Sequence, residues 1–66
     1  MTPVRYTLKQ ASQTLYNGTS RHDSATLAKS LGYERRAGKG PTDGCIVEEV
    51  VPMGQEAQIY YWHKRK

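Results

Sequence analysis

Apolar residues in the first quarter of the chain recur at helical spacing. Leu8, Ala11 and Leu15 stand at positions i, i+3 and i+7, which places them on one face of a helix. Gly18, preceded by asparagine, is typical of the left-handed residue that ends a helix. The pattern therefore predicts a first helix of about three turns, preceded by a short extended segment over residues 4–6.

A second run of apolar residues gives the clearest local signal. Asp23 or Ser24 is suited to cap a helix at its beginning, and Gly32 is suited to end it. The apolar positions between these ends lie on one face: Leu27, Ala28 and Leu31. Tyr33 would then make the hydrophobic contact that follows a glycine stop. A second short helix is predicted here.

The rest of the chain favours a loop and then a β-hairpin. Residues 34–44 hold three glycines and one proline, and since each glycine costs a helix about 1 kcal/mol and proline about 3, we expect a basic flexible loop. Residues 45–51 are rich in β-branched side chains and predict a strand. Residues 52–56 form a turn and residues 57–63 the return strand. In that strand the set Ala57, Ile59, Tyr61 and His63 is expected to face the helices.

These elements predict an α+β fold in which two short helices pack on a C-terminal β-hairpin, in the order β-α-α-β-β. A chain of 66 residues has room for a single small domain, residues 1–66. Its apolar runs are far shorter than the roughly 20 residues that span a bilayer, so no membrane association is expected. The single cysteine, Cys45, has no internal disulfide partner, which favours a cytoplasmic location.

Charge and a short motif point to nucleic acid. Ten Lys and Arg against six Asp and Glu give a net charge of +4, and the cations concentrate at the exit of the second helix and at the C-terminus. Ala28 and Gly32 stand four positions apart, and each is preceded by a leucine. This segment resembles the first half of a helix-turn-helix, in which the small residue allows close helix approach and the glycine makes the turn.

The resemblance covers about ten of the 66 residues. In the second half of the motif, this sequence departs from the helix-turn-helix pattern. Gly38 stands where the recognition helix would need an apolar anchor, and Pro41 where that helix would finish. With the hairpin as a wing, the chain is instead similar to the small winged-helix proteins of the excisionase and MerR-like group. The resemblance implies a small duplex-DNA-binding regulatory or architectural protein, such as a transcriptional regulator or excision factor of phage or plasmid origin.

Basic side chains would supply the DNA contacts, mainly by neutralising phosphates. The candidates are Arg21, His22, Lys29, Arg35, Arg36, Lys39, Lys64 and Arg65. Because a protomer of this size offers little contact area, we expect a homodimer or cooperative assembly on DNA.

Other chemistry is disfavoured. Gly38-Lys39-Gly40 lacks the hydroxyl residue and the earlier glycine of a phosphate-binding P-loop. Cys45, His22 and His63 show no paired metal-ligand spacing, and a chain this short offers little pocket for catalysis. We therefore expect no enzyme activity, no cofactor and no metal.

A rival hypothesis uses the aromatic residues of the return strand. Tyr60 and Trp62 alternate to the same side of it, and exposed Trp and Tyr flanked by charge are typical of binding hot spots. On this hypothesis the protein is a small inhibitor or adaptor that contacts a host enzyme through the hairpin.

Overall fold

The computed structural model describes residues 4–36 and 40–65, which form one antiparallel five-stranded sheet with a single α-helix on one face. The elements are β1 (Arg5–Gln10), β2 (Gln13–Gly18), α1 (Arg21–Ser30), β3 (Tyr33–Arg35), β4 (Ile46–Val51) and β5 (Gln58–Lys64). The strand order across the sheet is β2-β1-β4-β5-β3. Since β2 and β3 are the two edge strands, α1 crosses the sheet from one edge to the other.

The predicted first helix is wrong, because residues 5–18 form the hairpin β1–β2. Leu8 lies in β1, whereas Ala11 lies in the two-residue turn with a φ of 55°. Leu15 lies in β2 at a bulge. Leu8 pairs with Tyr16 and the next residue of β1, Lys9, pairs with Thr14, so Leu15 has no partner in the register. The three residues that suggested a helical stripe therefore belong to a strand, a turn and a bulge.

The predicted second helix is confirmed as α1, with an earlier beginning. Ser20 is the N-cap, and its side-chain oxygen accepts a hydrogen bond from the Asp23 N–H at 3.1 Å. At the other end Gly32 has a φ of 89° and donates its N–H to the Lys29 carbonyl at 3.0 Å. The glycine stop is thus used as predicted, but it leads into β3 and not into another helix.

The fold is therefore not two helices on a hairpin, and the winged-helix-like architecture is wrong. Ala28, expected to let a second helix approach, instead packs fully buried against the sheet. The predicted loop over residues 34–44 is also corrected in part, since Glu34 and Arg35 belong to β3. Residues 37–39 of that loop lie outside the described residues.

The C-terminal hairpin is confirmed as β4 and β5, but its faces are the reverse of the prediction. Trp62 is 3% exposed and belongs to the core with Leu8, Ala28 and Ile46. Ile59 is 45% exposed on the side away from α1. The helix therefore covers the even-numbered face of β5, which carries the large ring of Trp62.

Candidate nucleic-acid interface

A groove runs between α1 and the β3 edge of the sheet, and we call it the α1–β3 groove. It has a volume of about 340 Å³. Arg21, Ala25 and Lys29 line it from α1, where their spacing of four residues places them on one flank of the helix. Glu34, Arg35 and Trp62 line it from the sheet. Three of the predicted DNA contacts, Arg21, Lys29 and Arg35, are thus brought together.

A buried carboxylate bonds two of the residues that line this groove, Arg35 and Trp62. Glu48, in the central strand β4, is 1% exposed and accepts hydrogen bonds from three side chains. Trp62 donates its Nε1–H at 3.0 Å, the Ser24 hydroxyl donates at 3.3 Å, and the Arg35 guanidinium completes an ion pair. Since these donors come from β5, α1 and β3, the carboxylate joins the helix to both strands.

Small side chains on α1 make this arrangement possible. Ser24 and Ala28 are both fully buried and one helical turn apart, so the helix axis approaches the sheet closely there. Ser24 reaches Glu48 directly for that reason. The sequence gives no signal for this carboxylate, because a glutamate in a strand usually faces water.

Arg35 is therefore a structural cation as well as part of the groove. Its Cζ atom lies 4.4 Å from the centre of the Tyr60 ring and 5.5 Å from that of the Trp62 ring. The side chain is 30% exposed. With its charge compensated by Glu48, Arg35 adds less positive potential to the groove than Arg21 or Lys29.

Arg21 and Lys29 have no such compensation. Both are exposed, and among the described residues neither forms an ion pair with an acidic side chain. Glu34, the acidic residue on the groove, is instead bound by Arg36, whose Nη2 donates to it at 2.8 Å. That hydrogen bond is the main reason that the pKa of Glu34 lies below its ordinary value; burial opposes it, and the charge of Arg36 adds to it.

The remaining predicted contacts lie elsewhere. Arg36 and Lys64 line a separate cavity of about 460 Å³ beside Gly44. The Arg65 backbone N–H donates to the Gly32 carbonyl at 2.8 Å, near the end of α1. His22 is exposed on α1, and Lys39 lies outside the described residues.

The two aromatic residues expected to be exposed are not. Trp62 is buried, with its N–H engaged by Glu48, and Tyr60 is half-buried beneath Arg35. The side of the hairpin that faces away from α1 carries Val47, Ile59 and Tyr61 instead, since these residues alternate with Ile46, Tyr60 and Trp62, which face α1.

A third depression, which we call the β1–β5 cleft, adjoins the beginning of α1. It has a volume of about 270 Å³ and shares Arg21 and Arg35 with the α1–β3 groove. Tyr6, Gln58 and Tyr60 line its sheet side.

Metal-ligand clusters and membrane-spanning helices are both absent from the described residues. No group of three or more His, Cys, Asp or Glu side chains within residues 4–36 and 40–65 is placed to hold a metal ion. In the same part of the chain, no helix has the length and apolar character needed to cross a membrane.

Comparisons with known proteins give no match to a protein-family model, to a curated protein or to a solved structure.

Proposed function

We propose that the protein binds duplex DNA through the side of the sheet that carries α1, with Arg21 and Lys29 as its main phosphate contacts. The observation that carries the proposal is the pair of exposed, uncompensated cations on one flank of a helix. Phosphate neutralisation by such side chains supplies most of the affinity of non-specific DNA binding.

The spacing of the two cations suits a duplex. Eight residues of α-helix correspond to a rise of about 12 Å, and the major groove of B-DNA is about 12 Å wide. Arg21 and Lys29 therefore have the separation needed to approach phosphates on opposite sides of that groove. His22 and Thr26, exposed on the same helix, would then face the base edges.

The proposal includes self-association on DNA and a cellular role. A helix of ten residues offers less contact than a specific DNA-binding protein usually buries, which favours a homodimer or cooperative binding along the duplex. The role would be regulatory or architectural in the cytoplasm, with no chemical step on the DNA.

The proposal is tested by neutralising one side of the sheet at a time. Fluorescence anisotropy of a labelled random duplex is measured for the unmodified protein and for the pair Arg21→Gln with Lys29→Gln. The matched control is Arg5→Gln with Lys9→Gln, which removes the same charge from exposed positions on the opposite side of β1. The α1 pair should lose most binding at about 150 mM salt, and the control should keep it. Equal loss in both would show that binding follows net charge alone.

A second candidate function is supported by the other side of the sheet. There, four of the positions of β4 and β5 that alternation would make polar carry Val47, Val51, Ile59 and Tyr61, with Glu49 and His63 among them. An apolar patch of this kind is a feature of protein-binding surfaces, so binding of a host protein, first suggested by Tyr60 and Trp62, would use this side. Ile59→Ser with Tyr61→Ser should abolish such binding and leave DNA affinity unchanged.

A further inference from the structure

The β1–β5 cleft is shaped by the register of three strands. Tyr6 of β1 lies opposite Val50 of β4, which in turn lies opposite Gln58 of β5. The three side chains therefore form one row across the sheet, with Val50 as the apolar floor. Because the outer two strands are two spacings apart, about 9–10 Å, the row leaves space above Val50 between Tyr6 and Gln58.

The groups around this space provide an aromatic ring, an amide and a guanidinium. Tyr6 offers an aromatic ring, whereas the ring of Tyr60 is covered by Arg35. Tyr60 instead donates its hydroxyl to the Gln58 Oε1 at 2.7 Å. The Gln58 amide oxygen is thereby fixed, and its NH₂ group faces away from that bond with two donors to offer. Arg21, without an ion pair among the described residues, lines the same cleft from α1.

We propose that the β1–β5 cleft binds a single nucleotide, with the base against Tyr6 and Val50, its polar edge at the Gln58 amide and its phosphate at Arg21. Aromatic rings favour a planar base, an exposed guanidinium favours a phosphate, and an amide favours a ring edge that carries acceptors. A volume of about 270 Å³ lies just below the roughly 300–1,000 Å³ of small-ligand sites, so the cleft has room for no more than one nucleotide. This inference goes beyond duplex binding and does not depend on it.

The test is a titration of the unmodified protein, followed by amide NMR signals, with each deoxynucleoside monophosphate and with deoxyribose phosphate. A nucleotide should bind about fivefold to 150-fold more tightly than the base-free sugar phosphate, which corresponds to about 1–3 kcal/mol of base stacking. The shifted signals should lie at Tyr6, Val50 and Gln58. Equal affinity for both ligands, shifts confined to α1, or no binding of either would overturn the proposal.

Two variants locate the base. Tyr6→Leu keeps an apolar side chain in β1 and should reduce nucleotide affinity most of the way to that of deoxyribose phosphate, since the contact with the Gln58 amide remains. Gln58→Ala changes an exposed residue and should weaken nucleotide binding without affecting the fold, whereas the matched control Gln13→Ala, an exposed residue of edge strand β2, should have no effect. If Gln58→Ala and Gln13→Ala bind nucleotide equally well, the base does not occupy this cleft. Duplex binding by the same variants is measured separately, so that failure here is distinct from failure of the DNA proposal.

Discussion

Removal of the Glu48 carboxylate should destabilise the protein severely. In Glu48→Ala the Trp62 N–H and the Ser24 hydroxyl lose their buried acceptor, and each unsatisfied donor costs about 1–3 kcal/mol. Arg35 also loses its partner, although its 30% exposure lets water replace part of that interaction. We expect a total loss of about 3–5 kcal/mol, the range found when a buried ion pair is broken.

That loss is comparable to the entire stability expected of the domain. At about 0.05–0.15 kcal/mol per residue, 66 residues correspond to roughly 3–10 kcal/mol. Glu48→Ala should therefore be largely unfolded or have a greatly reduced urea midpoint. Glu48→Gln, which keeps an acceptor oxygen, should fall between this variant and the unmodified protein.

Urea denaturation followed by tryptophan fluorescence measures the effect, because Trp62 is the sole tryptophan and is buried. Glu49→Ala, one position along β4 on the opposite side, is the matched control and should change stability by no more than about 0.5 kcal/mol. The reasoning is refuted if Glu48→Ala is as stable as Glu49→Ala. A double-mutant cycle with Arg35→Ala then apportions the interaction between these two residues.

Three smaller perturbations test the ends of α1 and the β3 edge. Gly32→Ala should lose about 1–2 kcal/mol because of its left-handed backbone, whereas Gly40→Ala, without a positive φ or a near neighbour, should not. Ser20→Ala should lose about 1 kcal/mol with its N-cap, and Thr19→Ala should not; thermal melting measures all four variants. Because folding lowers the pKa of Glu34, the stability that its carboxylate contributes is complete above the unfolded-state pKa of about 4.3. That stability is lost as the pH falls through the folded-state pKa. Arg36→Gln should raise that pKa in an NMR titration, and an unchanged pKa would exclude the Arg36 hydrogen bond as its cause.

The parts of the fold that the sequence predicts well are those whose signals are local. Gly32 and the apolar positions Leu27 and Ala28 predict α1 without reference to the rest of the molecule, although the N-cap is Ser20 and not the expected Asp23 or Ser24. The β-branched run of β4 is equally local.

The β1–β2 hairpin could not be predicted in the same way. Its turn, centred on Ala11, lacks the Asn-Gly or Asp-Gly pair that usually identifies a two-residue turn, while the Asn17-Gly18 pair that looks like a stop ends β2. Leu8 and Leu15 then fit a helical period by coincidence, and pairing with both β2 and β4 makes β1 a strand.

The sequence predicts the cations of the candidate site but not how the fold arranges them. Arg21, Lys29 and Arg35 were identified from charge and do line one groove. Their different roles depend on Glu48, whose burial follows from the strand order and from the close approach of Ser24. No spacing along the chain carries that information, because the contact joins elements 24 residues apart.

The salt dependence of duplex binding tests the central claim most directly. Affinity for a labelled duplex is measured between about 50 and 200 mM salt, where log affinity falls with log salt by about 0.9 per phosphate contacted. Replacing Arg21 and Lys29 by glutamine should make that slope shallower by about 1.8, and replacing Arg5 and Lys9 should leave it unchanged. A slope that is the same in the unmodified protein and in the Arg21→Gln, Lys29→Gln variant would contradict the account.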